Sequence, residues 1–213
     1  MTESVKRDYR SDLRTAQAAD TRRSIVATAA RMFVETGYGA TTIDATAAAA
    51  GVSRKTVFTS VGGKVELLKT ALDWAVAGDD RPVAMVDRPA MRLLLATDDA
   101  VDLLTGWAHV MVDIDVRAAA LFSALEVAAD SDAEARRLLD EYAHQRLEGA
   151  RVIVKRLVEL DVLTGVLPRA DAVDVAWFAT DPVLFDLFVR LRGWSVSRFE
   201  AWLARLLVSQ LMD

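Results

Sequence analysis

The chain has 213 residues, 53% of them apolar, with a net charge of −5 and a mean hydropathy of +0.19. That length supports one or two compact domains with a well-filled core. The absence of cysteine removes disulfides, thiol catalysis and cysteine–zinc sites, and no apolar run is both long and charge-free enough to span a bilayer.

The opening residues, MTESVKRDYRSDLR, are too polar for a secretory signal, so a cytoplasmic protein is expected. Lys6, Arg7, Arg10 and Arg14 could form a basic arm reaching a minor groove. Asp8 and Asp12 interrupt them, and a frayed, solvated terminus competes with that reading. From residue 22 to 36 apolar side chains recur at Ile25, Ala29, Met32 and Phe33, then Gly37 intervenes. That periodicity predicts a helix ending at the glycine.

Residues 42–58, TIDATAAAAGVSRKTVF, predict two short helices around a tight turn. Thr42 is a suitable cap for the first, because its hydroxyl oxygen can accept from an orphan N–H of the first turn. Ile43, Thr46, Ala47 and Ala50 share one face of that helix. Gly51 can take the left-handed conformation that closes it. Ser53 caps the second helix, and Val57 falls on its inner side. This is the outline of a helix-turn-helix, whose second helix enters the major groove of DNA.

The outward residues have the chemistry such a helix needs. Arg54, Lys55 and Thr59 are placed to meet base edges, where Arg and Lys donate to guanine acceptors. Thr41, Thr42, Thr56, Phe58 and Lys64 flank them as candidate DNA contacts, chiefly to phosphates. The competing reading is an ordinary helical hairpin with solvated charges. Charge distribution favours the first. Residues 1–69 hold 11 Lys/Arg against 7 Asp/Glu, a balance of +4, whereas residues 70–213 hold 15 against 24, a balance of −9. The positive charge sits with the motif.

Beyond the motif, residues 65–76 continue as a helix. Residues 78–89 read as a loop with prolines at 82 and 89. Helices are predicted over 98–112, 117–129, 132–160, 171–192 and 196–212, with Pro182 kinking or splitting the fourth. Ser131 and Glu134 have the spacing of a capping box, and Gly165 with Pro168 marks a turn. The fold class is therefore all-α, with about nine or ten helices: an N-terminal three-helix helix-turn-helix domain over 1–66 and a larger helical domain over 67–213.

The run IVATAARMFVETGYGATTIDATAAAAGVSRKTVFTSVGGKVELL, residues 25–68, resembles the N-terminal domain of TetR-type transcriptional regulators. The shared features are A-x-x-x-F, G-Y, T-T-I, A-G-V-S, T-V-F and K-x-E-L-L. Three positions depart from the family pattern: Thr46 where Ile is usual, Phe58 where Tyr is usual, and Val61 where an aromatic is usual. The resemblance implies a homodimeric repressor, not an enzyme, that binds a palindromic operator in double-stranded DNA. It also implies a C-terminal domain that takes a small-molecule effector and dimerises through its last two helices. Trp177, Leu184, Phe185, Phe188, Trp194, Phe199, Trp202 and Leu206 are the candidate dimer residues there.

Trp74, Trp107, His109, Met111, Phe122, Glu126, Tyr142 and Arg146 combine aromatic walls with polar tips, the mixture of a small-molecule pocket. Their apolar share points to a hydrophobic or amphipathic effector. Ordinary core packing is the competing reading for each. His109 and His144 do not make a metal or catalytic site, and no cofactor is implied. The alternative function is a helical small-molecule binder or enzyme with an incidental helix-turn-helix.

Overall fold

Short polar residues that satisfy orphan N–H groups set where most helices begin. Thr42, Ser53, Asp99, Asp132, Asp181 and Ser195 each accept a bond from the first turn of the next helix. The structure, a computed structural model, describes residues 2–163 and 167–212, with side chains from residue 14 onward. The side chains of the basic residues at 6, 7 and 10 and the turn at Gly165 lie outside what is described. Every described element is helical.

The first four helices are α1 (Thr2–Ala40, interrupted at Gly37), α2 (Ile43–Ala49), α3 (Arg54–Ser60) and α4 (Lys64–Ala77). Gly78 closes α4 at φ 79°, and its N–H bonds the Trp74 carbonyl at 2.8 Å. The rest comprises α5 (Pro89–Leu95), α6 (Ala100–Ala129), α7 (Ala133–Glu159), α8 (Arg169–Ala179), α9 (Pro182–Phe185) and α10 (Val196–Leu211). A π-helical stretch, Asp186–Leu191, comes directly after α9.

Three expectations are corrected. The two helices predicted over 98–112 and 117–129 are one 30-residue helix, α6. Residues 113–116 fall between the two expected helices, but nothing there is Gly or Pro, and Asp113 pairs with Arg117 one turn on, at 2.5 Å. The 78–89 loop ends earlier than expected, because Pro89 opens α5; its missing N–H is an orphan at that position anyway. Asp132, not Ser131, caps α7. Pro182 does split its segment, ending α8 at Ala179 and starting α9.

Two apolar cores run through the molecule, and α6 belongs to both. In the first, Ile25, Phe33, Val57, Leu68 and Leu72 pack with Leu121, Leu125 and Leu138. In the second, Leu103, Leu104 and Trp107 meet Ile153, Leu157, Phe199, Leu203 and Leu207. At 1.5 Å per residue α6 is about 45 Å long, which is enough to span both.

Leu125 is fully buried in the first core. Leu125→Ala should cost ~2–5 kcal/mol of unfolding free energy in a denaturant titration. Amide exchange should show lost protection in α1 and α4, although the change lies in α6. Intact protection in α1 and α4 would refute the shared core.

Candidate functional site

Side chains of two short helices build the candidate DNA-facing surface. Thr42 Oγ1 accepts from the Ala45 N–H at 3.0 Å, and Ser53 Oγ from the Thr56 N–H at 3.1 Å. Gly51 takes φ 68°, and the Val52 N–H returns to the Ala47 carbonyl at 3.0 Å. The turn therefore has its backbone bonded and its left-handed residue free of a Cβ penalty. Thr46 and Ala47 anchor α2, and Val57 anchors α3. Thr46 is fully buried, and its hydroxyl donates to the Thr42 carbonyl at 2.9 Å, so the polar substitution leaves no unmet group.

With Val57 inward, Arg54, Lys55, Phe58 and Thr59 face outward and are exposed. Arg54 is held by Asp44 of α2 at 2.6 Å, and its guanidinium lies 5.4 Å from the Phe58 ring centre. Phe58 is 46% exposed, so it forms part of the outer surface and stiffens Arg54 there. Lys55 has no acidic partner among the described residues. Thr59 bonds back to the Lys55 carbonyl at 3.0 Å. Thr42 is exposed and Thr56 half-buried.

Two of the flanking residues stand differently from expectation. Thr41 is 1% exposed and donates its hydroxyl to the Gly37 carbonyl at 2.9 Å, which removes it from any outer surface. Lys64 rests its ammonium 3.9 Å from the Tyr38 ring centre. Burial lowers its pKa, with the charge of Asp132 opposing the shift. The Tyr38 hydroxyl donates to Asp132 Oδ2 at 2.7 Å, while Asp132 Oδ1 caps α7. This bond holds the Asp132 carboxyl below its ordinary range. One aspartate thus ties the end of α1 to the start of α7. A second tie runs from Arg22, which donates to the Ser60 carbonyl at the end of α3 and lies 5.9 Å from the Trp74 ring centre.

The eight candidate pocket residues do not converge on one cavity. Trp107 is buried in the second core, with Met111 packed against it. His109 is on the surface, its Nδ1 2.9 Å from Glu200. Phe122 packs edge-on against Tyr142, with ring centres 5.3 Å apart. Only Trp74 and Tyr142 line the cleft of about 570 Å³ between α1, α4, α7 and the loop that contains Pro82 and Met85. Arg146 and Glu126 belong elsewhere, to a carboxylate-rich group with Asp115, Asp181 and Asp186. Asp115 and the two later aspartates are absent from the sequence expectation. The signal was present: Asp115, Ala119, Ser123 and Glu126 share one stripe of an otherwise apolar helix.

The candidate dimer residues divide. Leu184, Phe185 and Phe199 are buried within the monomer, and Phe188, Trp194 and Trp202 form an aromatic cluster with Phe199. Leu206 packs partly against the same core, and Trp177 donates its indole N–H to the Ala143 carbonyl at 3.3 Å. The apolar side chains left outside in this region include Phe178, 58% exposed, and Leu191, 75% exposed. Neither stood out in the sequence, because helical periodicity does not say which neighbour arrives.

A short helix anchored by Val57, capped by Ser53 and presenting Arg54 and Lys55 outward defines a helix-turn-helix DNA-binding protein. Residues 25–71 match the family model described as bacterial regulatory proteins, tetR family. Two solved structures share the fold over nearly the whole chain. A TetR-family transcriptional regulator from Rhodococcus sp. aligns at a TM-score of 0.65 and 14% identity, covering 92% of this chain and 100% of its own. The TetR-family transcriptional regulator PfmR from Thermus thermophilus aligns at 0.56 and 23%, covering 88% and 93%. No curated protein matches in sequence. Residues 25–71 are thus similar to the N-terminal part of bacterial regulatory proteins of the tetR family, and the chain as a whole shares the fold of the two TetR-family structures. No helix among the described residues is long and apolar enough to cross a membrane.

The buried acid supplies a pH prediction. Burial first, then the charge of Asp181, pushes the Asp115 carboxyl up to about 8, with Arg146 opposing. A raised acid binds its proton more tightly in the folded state, so stability falls as pH rises from about 4 to about 8. Asp115→Asn removes that dependence. Its melting temperature should gain on the wild type as pH rises through that window, and a difference that stays flat with pH contradicts the account.

Proposed function

We propose that this chain represses transcription by binding a palindromic operator as a homodimer and that a small amphipathic effector releases it. The observation that carries the reading is the outer face of α3, where Lys55, Arg54 and Thr59 stand exposed on a helix fixed from behind by Val57. Lys55 and Arg54 donate to guanine acceptors in the major groove, and Thr59 to a neighbouring base. Thr42, Thr56 and Lys64 hold phosphates, with Lys64 leaving the Tyr38 ring to do so. Residues 1–66 form the reading head and residues 67–213 the effector-binding and dimerising part. Both reside in the cytoplasm.

Dimerisation uses exposed apolar side chains of the C-terminal helices, Phe178 and Leu191 among them. Exposed apolar side chains of that size favour a self-complementary contact. A two-fold pair of heads then matches half-sites separated by whole helical turns. The effector releases DNA by binding more tightly to a dimer whose head spacing no longer fits, and it shifts the equilibrium only by that difference in affinity.

Lys55→Ala should weaken binding to DNA from upstream of its own reading frame about tenfold, or ~1.4 kcal/mol. Fluorescence anisotropy over a salt series reads it, and equal affinity at every salt concentration removes Lys55 from the interface. Phe178→Asp together with Leu191→Asp should leave a folded monomer in sedimentation velocity. A dimer that persists moves the contact elsewhere.

A further inference from the structure

Residues 42–61, the helix-turn-helix, contain a single carboxylate, Asp44. A negative charge on a surface that meets phosphates opposes binding at every DNA sequence. Asp44 lies in the first turn of α2, where the helix dipole favours an acid, which explains its tolerance there but not its partner. Across the turn at Gly51, Arg54 Nη1 donates to Asp44 Oδ2 at 2.6 Å. The Arg54 guanidinium carbon also lies 5.4 Å from the centre of the Phe58 ring. The first residue of α3 is therefore held from α2 on one side and from the next turn of its own helix on the other.

That grip leaves one edge of the guanidinium open. Arginine carries five N–H donors in a planar fork, and Asp44 takes one of them, on Nη1. Among the described residues the Nε and Nη2 donors have no acceptor. Both side chains remain more than half exposed, 59% for Arg54 and 66% for Asp44, so the free edge is open to a ligand. A planar pair of donors is what guanine O6 and N7 accept in the major groove. An unheld arginine, with its many rotamers, reaches phosphates as readily as bases. A carboxylate beside it offsets the charge that a phosphate would attract and fixes the plane that guanine requires. Phe58 fits the same device, because a ring without a hydroxyl gives a phosphate no donor while its face still attracts the guanidinium. Lys55, the neighbouring cation, has no acidic partner among the described residues, so the device singles out Arg54.

We propose that Asp44 is a specificity-determining residue: with the Phe58 ring, it positions Arg54 to read a guanine and withholds it from phosphates. Asp44 acts through Arg54. It lowers affinity for DNA of any sequence and raises discrimination at one base pair. The assignment rests on the reading that α3 enters the major groove.

Selection of duplexes from a randomised pool by the full chain tests that underlying reading first. If the wild type enriches no sequence, the DNA-reading role of α3 falls, and this proposal with it. Enriched duplexes are then varied one base pair at a time, with fluorescence anisotropy as the readout. The wild type should prefer guanine at one position by about tenfold, and Arg54→Ala should lose that preference. Asp44→Asn should reduce the preference about fivefold. It should also bind a random-sequence duplex more tightly than the wild type, with a salt slope steeper by about one ion. In an Arg54→Ala background, Asp44→Asn should leave base preference unchanged, because the two residues act as one unit. Asp44→Glu keeps the charge and should recover part of the preference. An exposed ion pair adds little to folding stability, so circular dichroism and the melting temperature of Asp44→Asn should stay near those of the wild type. Several results overturn the proposal while sparing the DNA-reading role: an unchanged base preference in Asp44→Asn, an affinity lost equally on every duplex, or an effect of Asp44→Asn that persists without Arg54.

Discussion

The helix-turn-helix does not bury its apolar faces alone. Ile25, Phe33, Leu68 and Leu72 are closed off by Leu121 and Leu125 from α6 and by Leu138 from α7. A stretch of about 50 residues has too little interior to stabilise itself, so the missing layer has to come from elsewhere in the chain. It comes from a helix whose other half is buried in a different core with Leu103, Leu104 and Trp107. Close-packed interiors do not absorb a tilt locally. A displacement of α6 in one core therefore reaches the other.

The polar ties take the same route. Asp132 caps α7 and accepts from Tyr38, whose ring carries the Lys64 ammonium. Arg117 of α6 donates to the Ala75 carbonyl of α4 at 2.7 Å. Arg22 of α1 donates to Ser60, where α3 ends. Each bond satisfies a terminal carbonyl or carboxylate and also fixes the angle at which the DNA-facing helices leave the body.

The helix-turn-helix was legible because its determinants act over a few residues. A threonine or serine cap, a left-handed glycine and a buried valine at the right offset need no distant partner, and all four are where the spacing put them. Phe58 shows where that logic stops. Helical spacing puts it on the outer side of α3, but only the packed structure shows its exposed ring lying against Arg54. Pro89 shows a different limit, since a proline ends one helix or starts another according to the residues on its C-terminal side. The carboxylate stripe could have been read from the period of α6, but the gap left at 113–116 between the two expected helices hid that the helix was continuous.

The amino-acid sequence by itself determined the class of fold, the caps, the turn and which face of α3 is basic, because these are set by local backbone chemistry and by charge. Tertiary structure alone decided that Trp107 is core and His109 surface, and that Leu184, Phe185 and Phe199 belong to the monomer interior. It also decided that Asp115 is buried beside Arg146. Apolar periodicity on a helix specifies an inward face but not what that face meets. Whether a side chain ends in a core, in a cleft or at the surface depends on the helices that pack against it.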